Sequence, residues 1–435
     1  MATETPLLLQ QIETTAALPV QIKTDEEDDT ELDASLHRLE TFLRLFGFCQ
    51  YSPISSILSW LSFISLGILL PLLIIEFSYC ADCHKYQIRT FELEILVSQA
   101  LLAAISLLCV SHNLKKYGVR KFLFVDRTHG HLPQFRDQYI KMIQGFFRLL
   151  LVWVVPCFLV KASHEGLRMF YIHEKSWWPS VLTLFALLFS WTYSTMIFLS
   201  GCAIFNLVCN FQVIHFENYG KLLEQDMDIS AYIEEHIRLT HHLSKISHRF
   251  RIYLVLEFLG VTASQFVALL QTTGNRGIIN FLNGGDFAIS SVVQLVGIII
   301  CLHAAAKISH RAQGLASVAS RWHAIVTSNS DEAPASANVN GSTTIVTSSG
   351  SLPIAYSESD LEAVDYVPVP TSNQLASYLT SYHKRQAFVT YLQTNPGGAS
   401  IFGWTVDRVL INTLFFVEMS LVLFVLGKTI TITTK

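Results

Sequence analysis

The sequence predicts an all-α, polytopic membrane fold with seven spanning helices, and three observations carry that reading. Of its 435 residues 51% are hydrophobic and only 15% charged, with a mean hydropathy of +0.39, too apolar for an ordinary soluble chain of this length. The apolar residues gather into seven runs of membrane-spanning type. The segments bordering several of these runs repeat their apolar residues at three-and-four spacing, which is helical and not strand-like.

The seven runs are Ser56 to Phe77, Phe91 to Val110, Phe146 to Val160, Val181 to Cys209, Tyr253 to Leu270, Phe287 to Ala306 and Ile401 to Gly427. Residues 1–45 form an acidic tail containing Asp25-Glu26-Glu27-Asp28-Asp29, expected to be disordered and solvated. No apolar core before Ser56 is long enough for a cleaved signal peptide, so the first span is expected to direct insertion. Residues 46–327 then hold spans one to six and their amphipathic extensions: Phe211 to Gln225 after the fourth, Ile229 to Arg251 before the fifth, and Lys307 to Thr327 after the sixth. Residues 328–370 are rich in Ser, Asn, Thr and Ala, lack Lys and Arg, and read as a disordered insert.

The seventh element, residues 371–427, is split. A polar helical run, 371–393, has one apolar face made by Leu375, Tyr378, Leu379, Tyr382, Phe388, Val389 and Leu392. Asn395-Pro396-Gly397-Gly398 breaks it, because proline lacks the backbone donor and the glycines ease the turn. The chain resumes as the membrane run 401–427, whose charges are Asp407, Arg408 and Glu418, and ends in a tail, 428–435.

Orientation follows from the positive residues. The N-terminal tail and the even-numbered loops hold 20 Lys and Arg against 8 in the odd-numbered loops and C-terminal tail, predicting a cytoplasmic N-terminus and a C-terminus outside. All the amphipathic extensions, with 371–393, then fall on the cytoplasmic side as one helical bundle. A net charge of −4 without a basic tract offers nothing to nucleic acid, so the partner implied is the lipid membrane.

This layout, with an inside N-terminus, an intracellular bundle from spans four to six and a divided last helix, resembles the insect gustatory and odorant receptor superfamily. More closely it resembles the plant gustatory-receptor-like proteins grouped under a domain of unknown function. Insect members tend to carry Thr-Tyr with a later Gln-Phe in the last helix; the matching stretch Glu418-Met419-Ser420-Leu421-Val422-Leu423-Phe424 keeps neither pair. The resemblance implies a chemoreceptor-type homotetrameric cation channel gated by a small-molecule ligand, with the last helix lining the pore.

Two helical stripes mark that last helix. One runs through Val409, Asn412, Phe416, Met419 and Leu423, the other through Arg408, Ile411, Phe415, Glu418 and Val422, and either could face a pore. The pore-lining set expected is Asn412, Phe416, Glu418, Met419 and Leu423, since an ionisable residue within a span faces a water path or the protein interior. The expected ligand pocket lies in the outer half of the spans, where Trp153, Phe158, Phe185, Phe189 and Phe266 would wall Ser98, Gln99, Gln265 and Gln294.

Cys80-Ala81-Asp82-Cys83-His84 has the spacing of a c-type haem attachment, but an exterior loop of this size has little room for a haem pocket. A short-range disulfide or two exposed thiols is the reading preferred, and no cofactor is expected. His236, His241, His242 and His248 make an imidazole-rich patch read as a solvated face without a clear metal ligand set. No Walker loop, Gly-x-Ser-x-Gly elbow or zinc-protease helix is present, so no catalytic residue is assigned and the chain is not expected to be an enzyme.

Overall fold

The computed structural model describes residues 22–77, 89–124, 135–172, 177–222, 229–274, 281–330, 381–401, 404–406 and 408–430. Within these the chain is all-helical apart from two strands of two residues each. The helices are α1 (Ile22–Leu45), α2 (Pro53–Phe77), α3 (Arg89–Phe124), α4 (Arg136–Ile172), α5 (Trp177–Leu222), α6 (Ile229–Gly274), α7 (Phe281–Ser330), α8 (Ser381–Thr394) and α9 (Arg408–Ile430). Seven of them, α2 to α7 and α9, contain stretches long and apolar enough to cross a membrane.

α5 and α7 form the centre. Of their most apolar stretches 89% and 83% are buried, against 22–33% for the other five, so helices that read alike in hydropathy divide into core and rim. The two approach closely at Gly297 of α7, where a Cβ would sit 2.3 Å from the Phe198 ring of α5. α3, α4 and α6 pack around this pair, α2 lies against α5, and α9 is attached to α6 and α7.

α5, α6 and α7 continue as single helices past their apolar stretches, because the apolar stripe never stops; it narrows to one face. There they pack as a bundle with α8. Tyr232, Trp322 and Phe388 meet as an aromatic core between α6, α7 and α8. The Tyr219 hydroxyl donates to the Tyr232 carbonyl at 2.9 Å, and the Tyr232 hydroxyl to the Leu222 carbonyl at 3.0 Å, tying the end of α5 to the start of α6.

After α8 the chain breaks where sequence placed the break: Gly397 and Gly398 take φ of +65° and +147°, a conformation side-chain-bearing residues rarely adopt. A short hairpin follows, β1 (Ser400–Ile401) against β2 (Trp404–Thr405). Its backbone is pinned by Ser309 of α7, which accepts from Ala399 N–H, and by Ser247 of α6, which accepts from Ser400 N–H.

Three expectations are corrected. Residues 22–45 are not a disordered tail: α1 buries Leu32, Leu36, Leu39 and Leu43, a three-and-four stripe that the surrounding acids obscure, against α4. The last helix begins at Arg408 and not Ile401, because Ser400–Ile401 and Trp404–Thr405 pair as strands, and it continues through residues 428–430. The imidazole patch is not a solvated face, since His236, His241 and His242 are buried by the helices packed on α6, with the Tyr391 hydroxyl 3.2 Å from His236 Nδ1. Residues 1–21, the haem-like motif, the insert as far as 370, the first ten residues of 371–393 and the last five of the chain lie outside the described residues.

Candidate functional site: a buried ionic cavity among the spans

Just beyond the apolar run of α4, Lys161, His164, Glu165 and Arg168 recur at i, i+3, i+4 and i+7 and so share one face of the helix. That face turns inward, toward Glu92 of α3 and Asp286 of α7. Lys161 Nζ lies 2.6 Å from both Glu165 Oε1 and Asp286 Oδ1. Arg168 reaches three acids: Nη1 is 2.7 Å from Glu92 Oε1 and 3.4 Å from Asp286 Oδ2, and Nη2 is 2.9 Å from Glu165 Oε2. His164 Nδ1 stands 3.1 Å from Asp286 Oδ1.

Gly285 makes this convergence possible, since a Cβ there would meet His164 Nε2 at 2.5 Å. Every member of the cluster is at least nearly nine-tenths buried, so the charges interact without much screening. Removing one partner would strand the others in a medium that solvates them poorly. Donor atoms of His164, Glu165 and Asp286 lie within 4.8 Å of one another, as a metal site requires. The Lys161 ammonium, however, already bonds both carboxylates, so a fixed cation of the protein stands where an ion would bind.

The cluster borders a cavity of about 50 Å³, room for a few waters or a small ligand. Glu92, Lys161, Glu165, Arg168 and Asp286 line one side; Gln99 of α3 and Ser190, Trp191 and Ser194 of α5 line another. The remaining wall includes Gly67 and Pro71 of α2, where Phe63–Leu69 is π-helical. Leu70 N–H bonds Ser65 O, five residues back, and the residue five beyond Leu66 is Pro71, which has no N–H. The Leu66 carbonyl instead accepts from the Ser190 hydroxyl at 2.7 Å, which fastens this wall to α5.

From the cavity a set of amide and hydroxyl contacts crosses toward α6. Gln99 Nε2 lies 3.5 Å from Ser290 Oγ, Gln294 Nε2 donates to Ser264 Oγ at 3.0 Å, and Gln265 Nε2 donates to Gln294 Oε1 at 2.8 Å. Two further turns of α6 meet buried carboxyls: its own Glu257 accepts from Ser106 of α3 at 2.9 Å and from Tyr253 at 3.4 Å, and its Thr262 donates to Glu418 of α9.

The residues expected at the ligand pocket therefore separate. Gln99 lines the cavity, and Gln265 and Gln294 sit in the adjoining polar layer. Ser98 is turned to its own helix, donating to Ile95 O at 2.9 Å, and Trp153 and Phe158 are half-buried against the main core. Phe185, Phe189 and Phe266 are corrected: at 67%, 57% and 54% exposed they project away from the protein and wall nothing, because the outward faces of α5 and α6 are apolar where they meet lipid.

In α9, Asn412, Phe416 and Leu423 are exposed and Met419 is half-exposed, all on a face that the other described residues leave open. Glu418 does not belong with them. It is 3% exposed, on the packed face with Ile411, Val422 and Val425, so its assignment to a pore lining is withdrawn. The cluster itself was missed in the sequence because Lys161 and Arg168 follow an apolar run and read as loop charges; the signal was the four-residue ionic stripe without a helix breaker.

Seven helices long and apolar enough to cross a membrane, five of which line the ionic cavity, are the layout of a multi-pass helical membrane protein. Residues 34–417, most of the chain, match the family described as protein of unknown function (DUF3537), and the chain belongs to that family. No curated protein matches the chain.

Proposed function

We propose that this protein is a subunit of a ligand-gated ion channel, in which four copies place α9 around a central axis and a small molecule held in the ionic cavity favours the open state. One observation carries the reading: among the described residues, α9 is an apolar helix of membrane-crossing length packed along one side only. Its packed face is Ile411, Glu418, Val422 and Val425, while Val409, Asn412, Phe416 and Leu423 stand free. An asparagine amide on a free membrane face calls for water or another polar surface, which an axis shared by copies of the chain supplies. Phe416, Met419 and Leu423 would form bulky apolar rings that keep a narrow axis dry until the helices separate.

The layout that resembles the insect receptors supports fourfold assembly, and the charge bias supports a cytoplasmic N-terminus and helical extension bundle with the C-terminus outside. Two of the eight positive residues counted against that orientation, Lys161 and Arg168, are locked in buried ion pairs, so they give little support to the opposite one. The test is the protein in lipid nanodiscs and planar bilayers. Fourfold particles together with unitary currents are expected; monomers that pass no current would reject the channel and leave a non-conducting small-molecule receptor or adaptor of the same fold.

A further inference from the structure

We infer that Glu257 of α6 is a reversible proton-binding site inside the helical bundle, and that the proton sets which way its two hydroxyl partners point. The site is separate from the ionic cavity, and its test does not depend on conduction.

The first argument is the surroundings of the carboxyl. Glu257 lies in the apolar run of α6 and is 1% exposed. The titratable groups facing it are Cys109 of α3, Cys202 of α5, Tyr253 of its own helix and Cys301 of α7, and none of them brings a positive charge. Among the described residues no Lys, Arg or His pairs with it, and its Oε2 has no hydrogen-bond partner. A lone carboxylate is costly in such a place, and a proton removes that cost without needing room for an ion.

The second is a set of hydrogen bonds that closes in both protonation states. Ser106 Oγ of α3 lies 2.9 Å from Glu257 Oε1 and 3.5 Å from the Phe198 carbonyl of α5. The Tyr253 hydroxyl lies 3.4 Å from Glu257 Oε1 and 3.4 Å from Cys202 Sγ of α5. Each hydroxyl thus has one hydrogen to give and two acceptors within reach. With the carboxyl ionised, both donate to Glu257. With a proton on Oε1, the acid donates to Ser106, Ser106 donates on to the Phe198 carbonyl, and Tyr253 turns to Cys202. Protonation therefore moves both hydroxyl hydrogens from α6 to α5, the centre of the fold.

The third is that little has to move. A Cβ at Gly201 of α5 would meet Ser106 Oγ at 2.8 Å and the Tyr253 hydroxyl at 3.0 Å, so both rest on bare backbone. Changing acceptors takes a rotation of each O–H and no displacement of a helix.

The experiment is infrared difference spectroscopy of the full chain in detergent, wild type minus Glu257→Gln, as a function of pH. At neutral pH the difference is expected to hold one carbonyl band of a protonated carboxylic acid, which disappears as the pH is raised and returns when it is lowered. Ser106→Ala, which takes away the acceptor of the acid proton, should move that band toward the position of an acid free of hydrogen bonds. Unfolding would release the proton, so the melting temperature of wild type should fall faster with rising pH than that of Glu257→Gln.

Identical carboxyl bands in folded wild type and Glu257→Gln at neutral pH would overturn the inference, leaving an ionised residue. So would a band that never responds to pH while the protein stays folded, since the proton would then be a fixed part of the structure. If Glu257→Gln does not fold, an unmoved carboxyl region in Ser106→Ala overturns it instead.

Discussion

Glu418 of α9 accepts a hydrogen bond from the Thr262 hydroxyl of α6, and the pair lies on the side of α9 opposite the open stripe of Asn412, Phe416 and Leu423. The contact fastens α9 to α6 and keeps its buried carboxyl away from the open stripe. Thr262→Val should therefore lower stability by about 0.6 kcal/mol, and at most about 1.7, the range for such bonds between membrane helices. Glu418→Gln, which can still accept, should leave both melting temperature and ion selectivity close to wild type. A shift in reversal potential on Glu418→Gln would return this residue to the pore.

The open stripe makes a separate prediction. Leu423→Ser and Met419→Ser should raise basal current in planar bilayers, because a hydroxyl hydrates an apolar constriction. Ile57→Ser, on the exposed face of α2, should not. If both α9 variants assemble and conduct no more than wild type at any voltage, α9 is not the pore.

Within the ionic cluster, Asp286→Ala removes the carboxylate that Lys161, His164 and Arg168 all face. The expected loss is about 3–5 kcal/mol, read as a large fall in melting temperature or in yield of folded protein. Glu92→Gln, which leaves Arg168 its contacts with Glu165 and Asp286, should cost clearly less.

Close approach of the two central helices is tested at Gly297. Gly297→Val places atoms where the Phe198 ring lies and should cost about 1–3 kcal/mol through overpacking. Phe198→Leu in the same chain should recover part of the loss, a coupling that independent sites would not show.

The π-helical wall of the cavity yields the last test. Ser190→Ala leaves the Leu66 carbonyl without its donor and should cost about 1 kcal/mol. Adding Pro71→Ala supplies a backbone N–H five residues beyond Leu66, so the double variant should be more stable than additivity predicts, as measured by thermal unfolding.

The sequence made the spans legible because membrane insertion is written in composition: Val181 to Cys209 and Phe287 to Ala306 could hardly be anything else. It could not say that these two would be central, because lipid and protein interior are equally apolar and hydropathy does not separate them. The break at Gly397 and Gly398 was readable from local backbone chemistry alone. The cavity was not. Expecting a pocket to have aromatic walls selected Phe185, Phe189 and Phe266, which face outward, whereas the groups that converge are Glu92, Arg168 and Asp286, brought together from three helices far apart in sequence. Of the residues expected at the pocket, Gln99 lines this cavity, and Gln265 and Gln294 sit one layer away.

α6 and α7 run unbroken for 46 and 50 residues, without an internal proline, about 69 and 75 Å of continuous helix. Rods of that length reach far past a ~30 Å hydrocarbon layer and carry any tilt at one end to the other as a lever does. The connection into α9 is the exception: after Thr394 the helix gives way to two glycines at positive φ and a hairpin resting on Ser247 and Ser309 of those same rods. The last span is thus tied to these rods by two serine hydrogen bonds and a non-helical turn, so that removing the hydroxyl of Ser247 or Ser309 would loosen the tie while leaving the rods themselves intact.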